Sequence, residues 1–301
     1  MSSSIIFEYP FPEQFSFKEC LWFLDRNYDD CMHQLSPDSV TKVIKVKGRP
    51  FLIRVSAINS ILQVHLLEGR ALEEDRSAII SYVKNWFDLE RDLSHFYELL
   101  LKDSQLDYMP EAYFGLRLVS IPDLFEALCW GIIGQQINLT FAYKLKRKLV
   151  ERYAEPIGFE NKFYYSFPSS STLSKASMED LRAMQFSQKK AEYLIGIAAA
   201  FEKGEISEAK LRNMASLKDK QSVLTSIRGI GLWTANYALM KSFRESSCIP
   251  YGDAGLINAL LRHEIISRKE EAQHMDAFFK PYEGWESYLV FYLWRSLSVN
   301  V

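Results

Sequence analysis

Apolar positions keep two different periods over roughly the first 90 residues and settle into one thereafter. Ser4–Tyr9, the partly alternating run Lys42–Lys47, Phe51–Val55 and Ile61–Leu66 read as strands, with Gly48-Arg49-Pro50 as the turn between the middle pair. Phe15–Asn27 and Glu73–Phe87 keep helical spacing; in the second, Ile79, Val83 and the Trp86–Phe87 pair fall on one face. The pattern predicts an α+β domain over residues 1–90 with a small antiparallel sheet. Over residues 91–301 strand signals nearly vanish, and helices of ordinary length follow one another. They are Leu93–Leu101, a start near Ser120–Glu126 where Pro122 precedes acidic residues, and a capping-box-like start at Ser177–Asp180. Ala191–Phe201, ending near Gly204, then Ser222–Ile227, Asp253–His263 and Trp285–Leu297 complete the series. The Ser- and aromatic-rich stretch Phe159–Ser171 reads as a loop.

Composition narrows the partners more than the fold. With 301 residues, 48% hydrophobic and 25% charged, the chain is an ordinary globular protein with room for two domains. A net charge of −2 excludes a uniformly basic nucleic-acid binder and leaves a local basic face open. Aromatic residues, at 14%, leave rings for stacking beyond the core. Cys20, Cys31, Cys129 and Cys248 are scattered without a C-x-x-C, which argues against a zinc ribbon, an iron–sulfur cluster or a disulfide scaffold. The histidines show no H-x-x-x-H or H-x-E spacing, so no catalytic metal is expected. No apolar run is long enough for a membrane span, and the N-terminal stretch lacks the features of a signal peptide. The expected setting is a reducing, cytoplasmic one.

Candidate chemistry gathers between residues 227 and 256. Gly229 and Gly231 flank one isoleucine directly before a helical run. Glycine takes positive φ at little steric cost, so the pair can fold the chain sharply between helices. The free N–H groups of the helix that follows make such a corner a cradle for a phosphate, or for a cation shared between phosphate and carbonyls; a plain helix–turn–helix is the other reading. Trp233 and Tyr237, four apart, share one helical face, as either core or a binding wall. Asp253 stands just before the apolar run Leu256, Ile257, Leu260, Leu261. It reads as an N-cap and also as a well-placed catalytic carboxylate.

Ile227-Arg-Gly-Ile-Gly231, Trp233-Thr-Ala-Asn-Tyr237 and Gly252-Asp253-Ala-Gly-Leu256 together resemble the HhH-GPD superfamily of DNA base-excision glycosylases, and most closely its AlkA-type, 3-methyladenine branch. Ile132-Ile-Gly-Gln-Gln-Ile137, Leu181–Leu194 and Pro281–Trp294 extend the resemblance over most of residues 115–300. It implies a helical unit over 91–301, with subdomains of about 115–230 and of 91–114 plus 231–301 and a cleft between them.

The resemblance also implies chemistry. Asp253 would be the catalytic carboxylate, and Trp233, Tyr237 and Trp294 the base pocket. Gly229, Gly231 and the Thr234 hydroxyl would hold a DNA phosphate; no cofactor is expected, a monovalent cation bridging the hairpin to that phosphate being the one that the corner could take. Gln136 falls at the family's DNA-wedge position, where the branch has an apolar residue; capping a helix end is the alternative for Gln135 and Gln136. The lysine nucleophile of the family's glycosylase-lyases corresponds to Trp233, and no lysine stands in Leu232–Met240. Without an amine no Schiff base forms with the sugar. The expected enzyme is therefore a monomeric, monofunctional glycosylase that releases alkylated bases from double-stranded DNA. A glycosylase-lyase for oxidised purines and a catalytically silent DNA-binding protein are its rivals. Lys144, Lys146, Arg147, Lys148 and Arg152, with Lys241 and Arg244, are candidate phosphate contacts or a solvated face.

Overall fold

The computed structural model describes residues 4–25 and 28–298. Strands β1 (Ser4–Pro10), β2 (Gln34–Ser36), β3 (Ser39–Val46), β4 (Arg49–Ile58) and β5 (Ile61–Glu68) form one antiparallel sheet in the order β1-β5-β4-β3-β2. The turn between β3 and β4 is shorter than the sequence suggests. Val46 pairs with Arg49 and Lys45 with Pro50, so only Lys47 and Gly48 turn. Both have positive φ, 50° and 76°, the geometry that matches the twist of adjoining strands.

Helices α1 (Phe17–Leu24) and α2 (Glu73–Trp86) accompany the sheet. The last two residues of the longer helix expected around α1, Arg26 and Asn27, lie outside the described residues. On β4, Phe51, Ile53 and Val55 enter the main core while Leu52 faces the other way. There it joins Val43, Leu67 and Tyr164 in a small second core. Tyr164 belongs to a hairpin, β6 (Ile157–Phe159) and β7 (Lys162–Tyr164), in the stretch that reads as a loop from the sequence. Three-residue strands are too short for their alternation to register, and β2 escapes notice for the same reason. With both faces covered, β3 alternates only weakly.

The helical part continues with α3 (Ser94–Leu100), α4 (Met109–Ala112), α5 (Leu124–Gly134) and α6 (Leu139–Tyr153). After the hairpin come α7 (Ser170–Leu173), α8 (Met178–Ala183), α9 (Gln188–Glu202), α10 (Glu208–Arg212), α11 (Leu217–Thr225) and α12 (Leu232–Ala238). A π-helical turn at Leu239–Phe243 extends α12, and α13 (Ala254–Arg262), α14 (Asp276–Phe279) and α15 (Glu286–Ser296) close the fold. Local chemistry sets many of these starts. Asp123, Asn138, Ser169, Ser177, Ser187, Ser207, Ser216 and Asp253 each accept a hydrogen bond from the amide three residues on, a cap of about 1 kcal/mol apiece. Ser216 starts α11 earlier than the apolar pattern suggests, because the first turn, Leu217-Lys-Asp-Lys220, is mostly polar.

One core runs through the molecule, from Val55 and Val64 on the sheet to Leu289 and Phe291 on α15. α5 and α12 pack closely because Gly131 faces Thr234, where an added Cβ would come within 2.7 Å of the threonine methyl. That contact fixes the helix carrying the aromatic pair, α12, against α5, which Gln135 follows.

Candidate active site

The corner between α11 and α12 needs one of its two glycines. Gly229 has φ 96°, and a Cβ there would lie 2.3 Å from the Tyr193 ring. Gly231 has φ −86°, and a Cβ there would meet nothing within 4 Å. Its bare backbone instead keeps the exposed amide end of α12 open from outside.

The first turn of α12 carries Trp233, and Tyr237 follows one turn later. Their rings stack with centroids 5.5 Å apart and planes 16° apart. Tyr237, buried, also packs against Trp294 of α15 at 6.3 Å. The loop into α13 turns at Gly252, with φ 83°, and presents Asp253 as N-cap. One carboxylate oxygen, Oδ2, accepts from the Leu256 amide at 2.7 Å and from the Trp294 indole N–H at 2.9 Å. The other, Oδ1, accepts from the Trp233 indole N–H at 3.3 Å. Asp253 is thus both the cap and the centre of the aromatic cluster, and the two roles use the same side chain.

This cluster opens into a cleft of about 2000 Å³. Its opposite wall is made by the N-terminal domain, which sequence reasoning did not connect with the site. Trp22 and Phe23 of α1, then Tyr28, line it together with Trp130 of α5. Tyr28 stacks on Tyr143 at 5.0 Å, and Tyr143 packs on Trp130 at 4.6 Å. Arg295 lies 4.7 Å above the Trp22 ring and is held by Glu19 at 2.8 Å. The available signal was the density of aromatics in Trp22-Phe23 and Tyr28.

Between α5 and α6 the chain exposes Gln136, with φ 55°, on the rim of the same cleft. Gln135 turns inward, donating from Nε2 to the Gly229 carbonyl at 3.0 Å and to the Thr234 hydroxyl at 3.2 Å. The two glutamines therefore part: one braces the hairpin and the other stands at the tip.

Three of the candidate phosphate contacts, Thr234, Lys146 and Lys241, lie inside the fold. Thr234 is only 1% exposed and its hydroxyl is taken by Gln135, so it supports the corner from inside. Lys241 is fully buried, bonded to the Val119 carbonyl and lying over the Phe23 ring. Arg244 pairs with Asp88 at 2.7 Å. In α6, Lys146 pairs with Asp30 at 3.2 Å and with Glu126 at 3.7 Å, Arg147 with Asp29, and Arg152 with Asp180 at 2.9 Å. Lys148 is bonded to Gln185. Lys144 stands exposed. Lys146 and Arg147 thus tie α6 to the N-terminal domain, while Arg152 and Lys148 bond within the helical unit. Burial tends to raise the Asp30 carboxyl, but Lys146 above all outweighs it and holds the group well below the usual carboxylate range. Burial pushes the neighbouring His33 imidazole down, against the pull of Asp30. Among the described residues, no group of three or more His, Cys, Asp or Glu side chains is arranged to hold a metal ion. None of the described helices is long and apolar enough to cross a membrane.

Residues 129–283 match the model of the HhH-GPD superfamily base excision DNA repair proteins. The chain belongs to the HhH-GPD superfamily. Residues 13–128 match the model of the 8-oxoguanine DNA glycosylase N-terminal domain, so the two matches meet within α5. A DNA-3-methyladenine glycosylase of Bacillus subtilis (strain 168) is 40% identical over 289 residues, 95% of either chain. Among solved structures, a 3-methyladenine DNA glycosylase from Archaeoglobus fulgidus aligns at TM-score 0.82 and 21% identity, over 97% of this chain and 99% of that one. An 8-oxoguanine glycosylase/lyase of Clostridium acetobutylicum aligns at TM-score 0.74 and 17% identity, over 99% and 100%. Those two structures share an architecture and differ in named substrate, so the fold alone does not choose between substrates. As an HhH-GPD member with such a relative, the protein is a DNA glycosylase of base excision repair, a hydrolase of N-glycosyl bonds.

Proposed function

We propose that this HhH-GPD glycosylase excises alkylated purines, 3-methyladenine foremost, from duplex DNA and leaves an abasic site in an uncut strand. The observation that carries the reading is the Asp253 carboxylate, held by neutral donors at the mouth of an aromatic cleft; by the family resemblance, Trp233 stands where a lyase has its lysine. The name of the Bacillus subtilis relative supports the same substrate class.

A ring-alkylated purine carries positive charge and is already a good leaving group. The site therefore needs little acid catalysis. The C1′–N bond breaks with its electron pair going to the base, which departs neutral. The sugar is left electron-poor, and the negative charge of Asp253 stabilises it as that charge develops. Water then adds at C1′ and passes a proton by way of the Asp253 carboxylate to solvent. Trp233, Tyr237 and Trp294 supply electron-rich faces for the cationic base, a preference of about 2 kcal/mol or more when water is excluded. Trp22, Phe23 and Tyr28 of the N-terminal domain complete that enclosure. Before this the base leaves the stack, at roughly a few kcal/mol. Gln136, at its exposed tip, fills the gap and can hydrogen-bond the orphaned partner base. The amides at Gly229 and Gly231 hold one phosphate.

The match of residues 13–128 to an 8-oxoguanine glycosylase domain favours the lyase rival by name. That chemistry needs an amine, and Lys18 on α1 is the one lysine among the described residues lining the cleft. The test is methylated duplex incubated with the protein, with the strand run on a denaturing gel before and after alkali and with borohydride added in parallel. The reading expects breaks only after alkali and no trapped adduct. Incision before alkali with a trapped adduct would overturn it.

A further inference from the structure

Asp253 is bonded unequally at its two oxygens. A carboxylate oxygen offers two in-plane lone pairs. Oδ2 already meets two donors, the Leu256 amide at 2.7 Å and the Trp294 indole at 2.9 Å, while Oδ1 meets one, the Trp233 indole at 3.3 Å. Gly255 makes the tighter side possible. A Cβ at that position would stand 2.9 Å from Oδ2 and 3.2 Å from the Trp294 ring, inside the space the bond occupies. Its glycine is not required by a positive φ, so the missing side chain answers to this contact.

We propose that Trp294 and Gly255 are positioning residues for Asp253: they lock Oδ2 and leave the free lone pair of Oδ1 as the face offered to the sugar and the incoming water. This rests on the proposed function and adds a division of labour within it. Trp294 acts through its N–H as well as its ring, and Trp233, on the looser oxygen, contributes mainly as a wall. Because every donor is neutral, orientation is gained without cancelling the charge. A stacking role alone loses part of its face when an indole becomes a phenyl ring at position 294, but it is untouched by Gly255→Ala, which leaves both indoles in place.

The experiment compares Trp294→Phe, Gly255→Ala and Trp233→Phe with wild type. Release of 3-methyladenine from a methylated duplex is timed under single turnover, and Kd is measured for a duplex carrying a tetrahydrofuran abasic site. Loss of a hydrogen bond to a charged group predicts a rate lower by on the order of 10- to 100-fold in Trp294→Phe. Gly255→Ala should fall in the same direction with both indoles intact, which covers the case in which the phenylalanine variant folds poorly. Both should keep Kd within about threefold, and Trp233→Phe should lose less rate than Trp294→Phe. A wild-type rate in Trp294→Phe, or equal losses in rate and Kd, would overturn the proposal while the function stands. If wild type itself releases no methylated base, the function falls. The clamp is then decided by the Trp294 indole N–H resonance, which should move in Asp253→Ala and in Gly255→Ala; a resonance unmoved in both overturns it.

Discussion

Two aspartates in this molecule are set against buried structure in opposite ways. Asp30 faces the Lys146 ammonium across the junction between the N-terminal domain and α6, and its charge is neutralised there. Asp253 receives three hydrogen bonds, all from neutral N–H groups. A carboxylate facing a cation holds elements together. A carboxylate oriented by neutral donors keeps its field available for a cation that arrives later. The contrast explains how a chain of net charge −2 can combine a basic helix with a DNA substrate. Lys146 and Arg147 of α6 serve the junction, and the chemistry belongs to a site whose charge is negative.

Replacing each aspartate by asparagine separates the two roles. Asp253→Asn should lower base release by roughly 1000-fold, the scale of losing a principal electrostatic stabiliser. Its stability should stay near wild type in urea, because asparagine is an equally good N-cap. Asp30→Asn should do the reverse, with folded enzyme still turning over. Lys146→Met, which strands both Asp30 and Glu126, should lose about 3–5 kcal/mol by urea denaturation. Full stability in Lys146→Met would break the comparison at its structural end.

A smaller effect belongs to the corner. Gly229→Ala places a side chain at φ 96° against the Tyr193 ring. It should cost about 1–3 kcal/mol and weaken duplex binding, measured by urea melts and by Kd. Unchanged values in both would remove Gly229 from the account.

The mildest prediction concerns pH. Burial makes folded His33 resist its proton, whereas the unfolded chain accepts one near pH 6.5. Its contribution is therefore present above about pH 6.5 and lost as pH falls. The depressed Asp30 carboxyl acts in the same sense at lower pH, starting near the ordinary carboxylate value of about 4. Urea midpoints should decline from pH 7 to 5, and His33→Gln should flatten that limb. An equally steep limb in His33→Gln would assign the titration elsewhere.

The chain pattern makes the α+β start and the helical remainder legible because most elements are amphipathic and several carry explicit caps. It conceals β2 and the β6–β7 hairpin, whose strands are three residues long. Within the site, Gly229, Trp233, Tyr237, Asp253 and Trp294 stand out in sequence through spacing and family resemblance, and the fold gathers the four side chains into one cluster. Thr234, Lys146 and Lys241 mislead because a sequence does not tell a hydroxyl or an ammonium bonded inside from one facing solvent. The wall from α1, marked in sequence only by its density of aromatics, is not placed at the site for a different reason: Trp22 and Trp294 are brought to one cleft only by the packing of two domains.

The central claim is tested most directly by the identity of the base released. Wild-type protein is given two duplexes, one methylated and one carrying 8-oxoguanine, and the free bases are separated by chromatography. The account predicts 3-methyladenine from the first duplex and no base above background from the second. Release of 8-oxoguanine with the methylated duplex left intact would contradict it.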